Sequence, residues 1–175
     1  GTSNGNIINN RKGSMTIEQC KFYENVASRG AVGSQSGTTL LINNSEFTDN
    51  DMTSLTTTYG MVYSNSADSV IENTLFRNNK VKSGGAVYAT RSSSGTTGTL
   101  EINNCVIDSN SATLTGGAIF AGRTPTTIKD SLFTNNKAVS TDSVKGQGGA
   151  IYQTIDDVKS SMTIDNCIFI NNTAD

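Results

Sequence analysis

The sequence contains no histidine, no tryptophan and a single proline, Pro125, among 175 residues. The lack of histidine excludes a Ser-His or Cys-His catalytic pair and a histidine-ligated metal site. Charged residues are also scarce, at 16%, and the 13 basic residues nearly balance the 15 acidic ones. This balance gives no electrostatic reason to expect nucleic acid or an anionic membrane as a partner. No apolar run is long enough to span a bilayer.

Small polar residues dominate instead, with 45 serines and threonines and 20 asparagines. Such a composition is typical of disordered chains, but here the residues recur in a fixed order. Six units carry an apolar residue followed three positions later by asparagine: Phe22/Asn25, Phe47/Asn50, Phe76/Asn79, Ile107/Asn110, Phe133/Asn136 and Phe169/Asn172. Five residues before each apolar residue stands an isoleucine: Ile17, Ile42, Ile71, Ile102, Ile128 and Ile164.

A second motif lies between these units and reads Gly-Gly-Ala, then Val or Ile, then an aromatic residue. It occurs at Gly84–Tyr88, Gly116–Phe120 and Gly148–Tyr152. Weaker copies at Arg29–Gly33 and Tyr59–Tyr63 lack the first glycine. Fixed apolar blocks joined by polar segments of variable length are typical of a solenoid.

The apolar blocks show the period-two alternation of β-strands, as in Leu100-x-Ile102, and they are too short for helices. Asn104 and its equivalents interrupt the alternation. We expect a sharp bend there, because asparagine tolerates left-handed backbone angles. With the Gly-Gly-Ala segment as a third strand, the repeat predicts an all-β, right-handed parallel β-helix of about six coils of three short strands. The handedness follows from the usual chirality of parallel connections.

In such a fold identical positions stack on one another, at about 4.8 Å per coil. We therefore expect interior columns of the repeated isoleucines and phenylalanines, and a column of small or apolar residues two positions after the asparagine. The repeated asparagines themselves should form an amide ladder.

The paired Phe-x-x-Asn and Gly-Gly-Ala-Ile/Val motifs resemble the repeats of the chlamydial polymorphic outer membrane proteins. The pair is clearest at Phe76–Asn79 with Gly84–Val87, and at Phe133–Asn136 with Gly148–Ile151. The resemblance covers nearly the whole chain and departs from the pattern at Ile107, Arg29 and Tyr59. It implies a β-helical, cell-surface, adhesive or structural protein, and it carries no catalytic residues to this chain. Similar repeats occur in other large surface proteins.

We expect residues 1–175 to form a single β-helix segment of a longer repeat array. The chain starts at Gly1 with a degenerate repeat, and it stops at Asp175, where another Gly-Gly motif would follow. Neither end carries a recognisable polar cap of the kind that solenoids use.

The three cysteines, Cys20, Cys105 and Cys167, occupy one repeat position, which other units fill with Ser45, Thr74 and Ser131. They lie in the first, fourth and sixth coils, so any two are too far apart for a disulfide. We predict buried, reduced thiols with no metal-binding or nucleophilic role.

An enzymatic alternative deserves comparison, because carbohydrate-active β-helices place acids and bases on an outward strand face. The outward position before the bend holds a mixture of acids, amides and a lysine: Glu18, Asn43, Glu72, Asn103, Lys129 and Asp165. These acids are separated rather than converging as paired carboxylates should. The adjacent acids Asp156 and Asp157 have no calcium-ligand spacing around them. We therefore predict no catalytic residues, no metal and no cofactor.

One surface feature is a candidate binding site. If Val62, Val87, Ile119 and Ile151 point inward, alternation places an aromatic stripe outward in successive coils: Tyr63, Tyr88, Phe120 and Tyr152. Exposed aromatic stripes bind glycans or proteins. The alternatives are that long loops fold over the rings, or that the alanine and the aromatic residue of the motif are the inward pair. Two Asn-x-Ser/Thr tripeptides, at Asn43 and Asn171, are expected by chance in this composition and carry no argument.

The leading hypothesis is a non-catalytic extracellular or cell-surface segment that acts as an adhesin, a spacer or a fibre-forming module. Its expected partners are a protein or glycan of a host or neighbouring cell, or copies of itself stacked end to end. The alternative is a polysaccharide lyase or hydrolase.

Overall fold

The fold was analysed in a computed structural model, which describes residues 5–54, 59–92, 98–141, 145–154 and 160–175. These residues form 22 short β-strands, and no helix is found among them. Every pair of adjacent strands is parallel, and the strands make four sheets. None of the described residues belongs to a helix long and apolar enough to cross a membrane.

Sheet 1 contains the strands that follow the Gly-Gly motifs: β1 (Ile8–Asn10), β4 (Val32–Ser34), β7 (Val62–Asn65), β11 (Val87–Thr90), β15 (Ile119–Gly122) and β19 (Ile151–Thr154). Sheet 2 contains the isoleucine strands: β2 (Ser14–Glu18), β5 (Thr39–Asn43), β8 (Asp68–Glu72), β12 (Leu100–Asn103), β16 (Thr126–Lys129) and β20 (Met162–Asp165).

Sheet 3 contains the phenylalanine strands: β3 (Lys21–Tyr23), β6 (Glu46–Thr48), β9 (Leu75–Arg77), β13 (Val106–Asp108), β17 (Leu132–Thr134) and β21 (Ile168–Ile170). Sheet 4 is shorter and contains β10 (Lys80–Ser83), β14 (Ser111–Thr115), β18 (Lys137–Ala138) and β22 (Thr173–Ala174).

Each strand pairs with its equivalent one coil away, in the register that the repeat predicts. In sheet 2, Ile102 pairs with Ile71 on one side and with Ile128 on the other. In sheet 3, Ile107 pairs likewise with Phe76 and Phe133. The prediction of a parallel β-helix is therefore confirmed.

The strand and coil counts differ from the prediction of six coils of three strands. A complete turn has four strands, and about four turns carry the full set, from β7 to β22. In the coil before them, the segment equivalent to sheet 4 makes one isolated bridge, from Asp51 to Lys80. Met52 donates from its backbone N–H to the Lys80 carbonyl at 2.9 Å, and the carboxylate of Asp51 accepts hydrogen bonds from the backbone N–H and the hydroxyl of Thr53 at 3.0 and 2.6 Å.

Two tight corners enclose sheet 3 in every coil. Each corner is two residues long, and its first residue has a left-handed backbone with φ between 48° and 57°. Between sheets 2 and 3 these residues are Gln19, Asn44, Asn73, Asn104, Asp130 and Asn166. The predicted bends at Asn104 and Asn166 are confirmed. Residues whose short polar side chains can bond locally tolerate this conformation best.

The second corner of each coil holds the buried amide ladder. Asn110 donates from Nδ2 to Asn136 Oδ1 at 3.1 Å and to the Phe76 carbonyl at 3.0 Å. Its own Oδ1 accepts from the backbone N–H and from Nδ2 of Asn79, at 3.1 and 2.9 Å. Both protons and the oxygen of a fully buried side chain are therefore satisfied, which avoids the cost of desolvating an unpaired amide.

The core consists of the expected columns. The repeated isoleucines from Ile42 to Ile128 are completely buried, and so are Phe47, Phe76 and Phe133. Phe22 and Phe47 stack with centroids 4.5 Å apart, and Phe47 and Phe76 stack at 4.8 Å. In the last coil Ile164 and Phe169 are 46% and 43% exposed, because a neighbouring coil covers them on one side only.

The cysteine prediction is correct in part. All three thiols are free, and Cys105 is buried between neighbouring coils, where burial raises its pKa to about 12. Cys20 is exposed and Cys167 is half-buried, so the predicted burial is wrong for Cys20 and incomplete for Cys167. Cys105 has a neighbouring coil on each side, whereas Cys20 contacts an equivalent residue, Ser45, on one side only.

Replacement of Phe133 or Ile102 by alanine should lower the free energy of unfolding by about 2–5 kcal/mol, because each change leaves a cavity in a stacked core. Chemical denaturation monitored by far-ultraviolet circular dichroism measures this loss. A loss below about 0.5 kcal/mol, the range of surface substitutions, would contradict the inward assignment.

Titration with a thiol reagent should show three kinetic classes. Cys20 should react at once, Cys167 more slowly and Cys105 only after unfolding, because its thiol is buried and un-ionised. The Cys20→Ser variant should lose the fast class alone, and serine is already present at this position in another coil, as Ser45. Rapid reaction of Cys105 in the native protein would contradict the structure.

Candidate functional site: the aromatic ladder of sheet 1

The register of sheet 1 aligns four aromatic residues. Tyr88 pairs with Tyr63 on one side and with Phe120 on the other, and Phe120 pairs with Tyr152. The residues that precede them, such as Val87 and Ile119, are completely buried. Alternation therefore places the rings on the outer face of the sheet. We call this column, Tyr63, Tyr88, Phe120 and Tyr152, the aromatic ladder.

The rings stack along the solenoid axis. Tyr88 and Phe120 are nearly parallel, with centroids 4.4 Å apart and an interplanar angle of 5°. The contacts at either end are looser, at 5.9 Å for Tyr63 with Tyr88 and 5.8 Å for Phe120 with Tyr152. Because neighbouring rings occupy one another's faces, the ladder presents mainly ring edges and tyrosine hydroxyls outward.

Exposure divides the ladder into two parts. Tyr63 is only 6% exposed, so the prediction of an exposed ring is wrong there. Tyr88, Phe120 and Tyr152 are half-buried. Burial raises the pKa of Tyr63, and it raises the pKa of Tyr88 to about 12 with a smaller contribution from Tyr59. The Tyr88 hydroxyl is therefore neutral at physiological pH and can both donate and accept a hydrogen bond.

Two residues that the sequence analysis missed cover Tyr63. The ring of Tyr59 lies 5.0 Å from that of Tyr63 and 4.4 Å from that of Tyr88. The guanidinium carbon of Arg29 lies 5.9 Å from the Tyr63 ring centroid, within the range of a cation–π contact. Both residues occupy the repeat position of the first glycine, so the imperfect motifs at Arg29-Gly30 and Tyr59-Gly60 were the signal.

The three complete Gly-Gly motifs themselves place no side chain over the rest of the ladder. Gly84, Gly116 and Gly148 have positive φ angles of 64–69°. A Cβ on Gly116 would lie 2.2 Å from the Ile119 carbonyl oxygen and 2.9 Å from the Phe120 backbone nitrogen. The backbone at this position therefore requires glycine, and no side chain can extend from it over the rings.

The aromatic ladder ends at Tyr63, because the preceding coil has no aromatic residue at this position. The equivalent residue there is Gly33, and the Asn6 amide fills the space that a side chain would occupy, 2.3 Å from an added Cβ. Asn6 Nδ2 donates to the carbonyl oxygens of Arg29 and Gly30 at 2.7 and 3.3 Å. Among the described residues, the accessible part of the ladder is therefore formed by Phe120, Tyr152 and the part of Tyr88 that Tyr59 leaves open.

Comparison with known families agrees with this architecture. Residues 2–136 match the family described as the right handed beta helix region. The chain belongs to the right-handed β-helix family. Residues 130–154 of the β-helix also match the Chlamydia polymorphic membrane protein repeat, which confirms the resemblance noted in the motifs. This match includes Phe133, the Gly148-Gly149 pair and Tyr152. No curated protein matches the chain.

The second match likens residues 130–154 to a repeat of surface or outer-membrane proteins. The β-helix fold itself also occurs in enzymes, so the fold alone does not decide between binding and catalysis.

The other residues considered in the sequence do not form a site in the described part of the β-helix. The outward column of sheet 2 is aligned as expected, but an amide separates Glu18 from Glu72, with Asn43 Nδ2 3.5 Å from Glu18 Oε1. No group of three cysteine or acidic side chains suited to a metal occurs among the described residues. Asp156 and Asp157 lie outside them.

The requirement for glycine can be tested by two alanine substitutions. Gly116→Ala should destabilise the β-helix by about 1–3 kcal/mol, because it combines a left-handed backbone with a backbone clash. Gly37→Ala is a matched control, since Gly37 has a φ of +74° but no atom within 4 Å of an added Cβ. Its cost should be clearly smaller in denaturant unfolding. Equal costs would show that backbone angle alone, and not the close approach to the Ile119 carbonyl, determines the glycine.

Proposed function

We propose that this β-helix is a non-catalytic extracellular segment of a surface protein that acts as an adhesin through the open part of its aromatic ladder. The observation that supports this proposal is that the rings of the aromatic ladder differ in how far other side chains cover them. Arg29 and Tyr59 cover Tyr63, and the Tyr59 ring also lies 4.4 Å from that of Tyr88, whereas Tyr88, Phe120 and Tyr152 themselves follow motifs whose first residue must be glycine. A row of partly exposed rings on a rigid sheet is a typical binding surface.

The ring geometry favours a protein partner over a glycan. A sugar ring packs on the face of an aromatic side chain, and in the ladder the faces of Tyr88 and Phe120 are stacked on each other at 4.4 Å. The remaining ring edges and the neutral Tyr88 hydroxyl suit an apolar protein surface with a few hydrogen-bonding groups. We therefore propose a protein on a host or neighbouring cell as the partner.

The arrangement of the acids supports a non-catalytic role. General acid and base catalysis needs two groups that converge on one substrate. In the outward column of sheet 2 amides alternate with the acids of the first coils, and Asn103 Nδ2 lies 3.5 Å from Glu72 Oε1. The pattern is that of a hydrogen-bonded polar surface.

The proposal is tested by changing Tyr88 and Tyr152 to serine together and measuring retention of the labelled protein on cultured epithelial cells. Binding should fall at least about tenfold, equivalent to about 1.4 kcal/mol. Protease treatment of the cells should abolish it, and glycosidase treatment should not. Tyr23→Ser is the control, because Tyr23 is 63% exposed on sheet 3, away from the ladder.

Unchanged retention by a folded double variant, or no retention of the unaltered protein, would overturn the adhesive role. Cleavage of polygalacturonate or another acidic polysaccharide by the unaltered protein would overturn the non-catalytic role.

A further inference from the structure

The outer face of sheet 3 carries an aliphatic stripe that the aromatic ladder does not include. One residue per coil forms it over four consecutive strands: Leu75, Val106, Leu132 and Ile168. The residues that follow them, Phe76, Ile107, Phe133 and Phe169, belong to the interior column, so the stripe points away from the core. Val106 is 37% exposed and Ile168 is 58% exposed.

A furrow runs beside this stripe, on the side of the corners with sheet 2. One hollow of about 580 Å³ is lined by residues that include Asn73, Leu75, Asn104 and Val106. A second, of about 300 Å³, shares Asn104 and Val106 and continues to Ile168. The far wall of the furrow is polar, since Asn104 Nδ2 donates to Asn73 Oδ1 at 2.6 Å.

The connections that directly adjoin this face are short. Both corners that enclose sheet 3 are two residues long in every coil, for example Asn104–Cys105 and Ser109–Asn110. Longer connections join other sheets: residues 91–99 and 155–161 join sheet 1 to sheet 2, and residues 139–150 join sheet 4 to sheet 1. With these short corners and with Val106 and Ile168 exposed, the stripe is available to another molecule.

The spacing and the shape of this face indicate that it fits the same face of a second copy of the chain. The rungs of the stripe repeat once per coil, at about 4.8 Å, and another stack of parallel strands has the same repeat. The stripe forms a ridge beside the furrow. A two-fold rotation about an axis parallel to the solenoid axis places the stripe of each copy in the furrow of the other copy, so the face is complementary to itself. Such reciprocal contacts define an isologous interface.

Charge does not oppose this pairing. In the first two coils the stripe position holds Lys21 and Glu46, which form an ion pair at 3.1 Å. On the far side of the stripe Arg77 and Asp108 are also paired at 3.1 Å. Asp130 lines the second hollow and accepts a hydrogen bond from Asn166 Nδ2 at 2.5 Å. The charged groups of the face are thus paired or hydrogen-bonded, so two copies meet without a concentration of like charge.

We propose that the stripe and furrow of sheet 3 are an interface between two copies of this chain, which lie side by side with parallel solenoid axes. Leu75, Val106, Leu132 and Ile168 of each copy occupy the furrow of the other. With four apolar residues from each copy, the buried area is small compared with that of interfaces that hold permanent dimers. It therefore produces a weak dimer whose population depends on concentration.

Sedimentation velocity of the whole chain over about a hundredfold range of concentration tests the interface by mass action. The unaltered protein should pass from monomer to dimer. The double variant Leu75→Lys/Val106→Lys should weaken dimerisation at least about tenfold, because two solvated cations would have to enter the partner's first hollow, which among the described residues is lined by amides and Arg77 and by no acid. Val70→Lys is the matched control, since Val70 is a half-buried outward residue of sheet 2. Thermal melts show whether each variant is folded.

The parallel arrangement has its own test, which uses the exposed Cys20 of the first coil. A spin label on Cys20 in a Cys167→Ser background should give a short label-to-label distance in the dimer, because parallel copies hold equal coils at one level. An antiparallel pair would separate the labels by more than ~30 Å along the axis, at ~4.8 Å per coil. That result would overturn the proposed pairing, and so would a folded unaltered protein that stays monomeric at every concentration, or a Val70→Lys effect equal to that of the double variant.

Discussion

The whole structure depends on hydrogen bonding between each strand and the equivalent strand one coil away. This pairing keeps every repeat position at a constant height on the solenoid, so one residue type generates a continuous column. In the interior the columns are isoleucine, phenylalanine and the asparagine ladder. The asparagine column is the most demanding, because a buried amide is stable only when both its protons and its oxygen are bonded. Stacking satisfies all three with the next and preceding coils alone.

The left-handed corners make this stacking compatible with short strands. The left-handed residue of each corner shifts the inward and outward alternation by one position. In the coils covered on both sides, the small second residue of the first corner and the asparagine of the second corner are therefore both buried. Because neither corner of sheet 3 accepts extra residues, all variation in coil length falls near sheet 1. The scaffold therefore separates a face bordered by long connections, which carries the aromatic ladder, from a face with short corners, which carries the aliphatic stripe.

Stacking of equivalent positions also explains how the first residue of the Gly-Gly motif changes the exposure of the aromatic ladder. Where the first glycine is present, its backbone leaves no room for a side chain and the rings beside it are partly open. Where arginine or tyrosine replaces it, that side chain packs over the ladder. The presence of arginine or tyrosine in place of the first glycine thus determines which part of the ladder is accessible.

The sequence by itself determined the parallel β-helix, the interior columns, the amide ladder and the bends, because strand pairing in register turns a linear period directly into a spatial neighbour. It also placed Tyr63, Tyr88, Phe120 and Tyr152 in one column. Only the tertiary structure decided that a complete turn has a fourth strand, since segments such as Lys137–Ala138 are too short to show alternation. It also decided that Cys20 is exposed and that Tyr63 is covered by Arg29 and Tyr59. Burial of this kind depends on what packs above a residue, and the order of residues along the chain does not specify that contact.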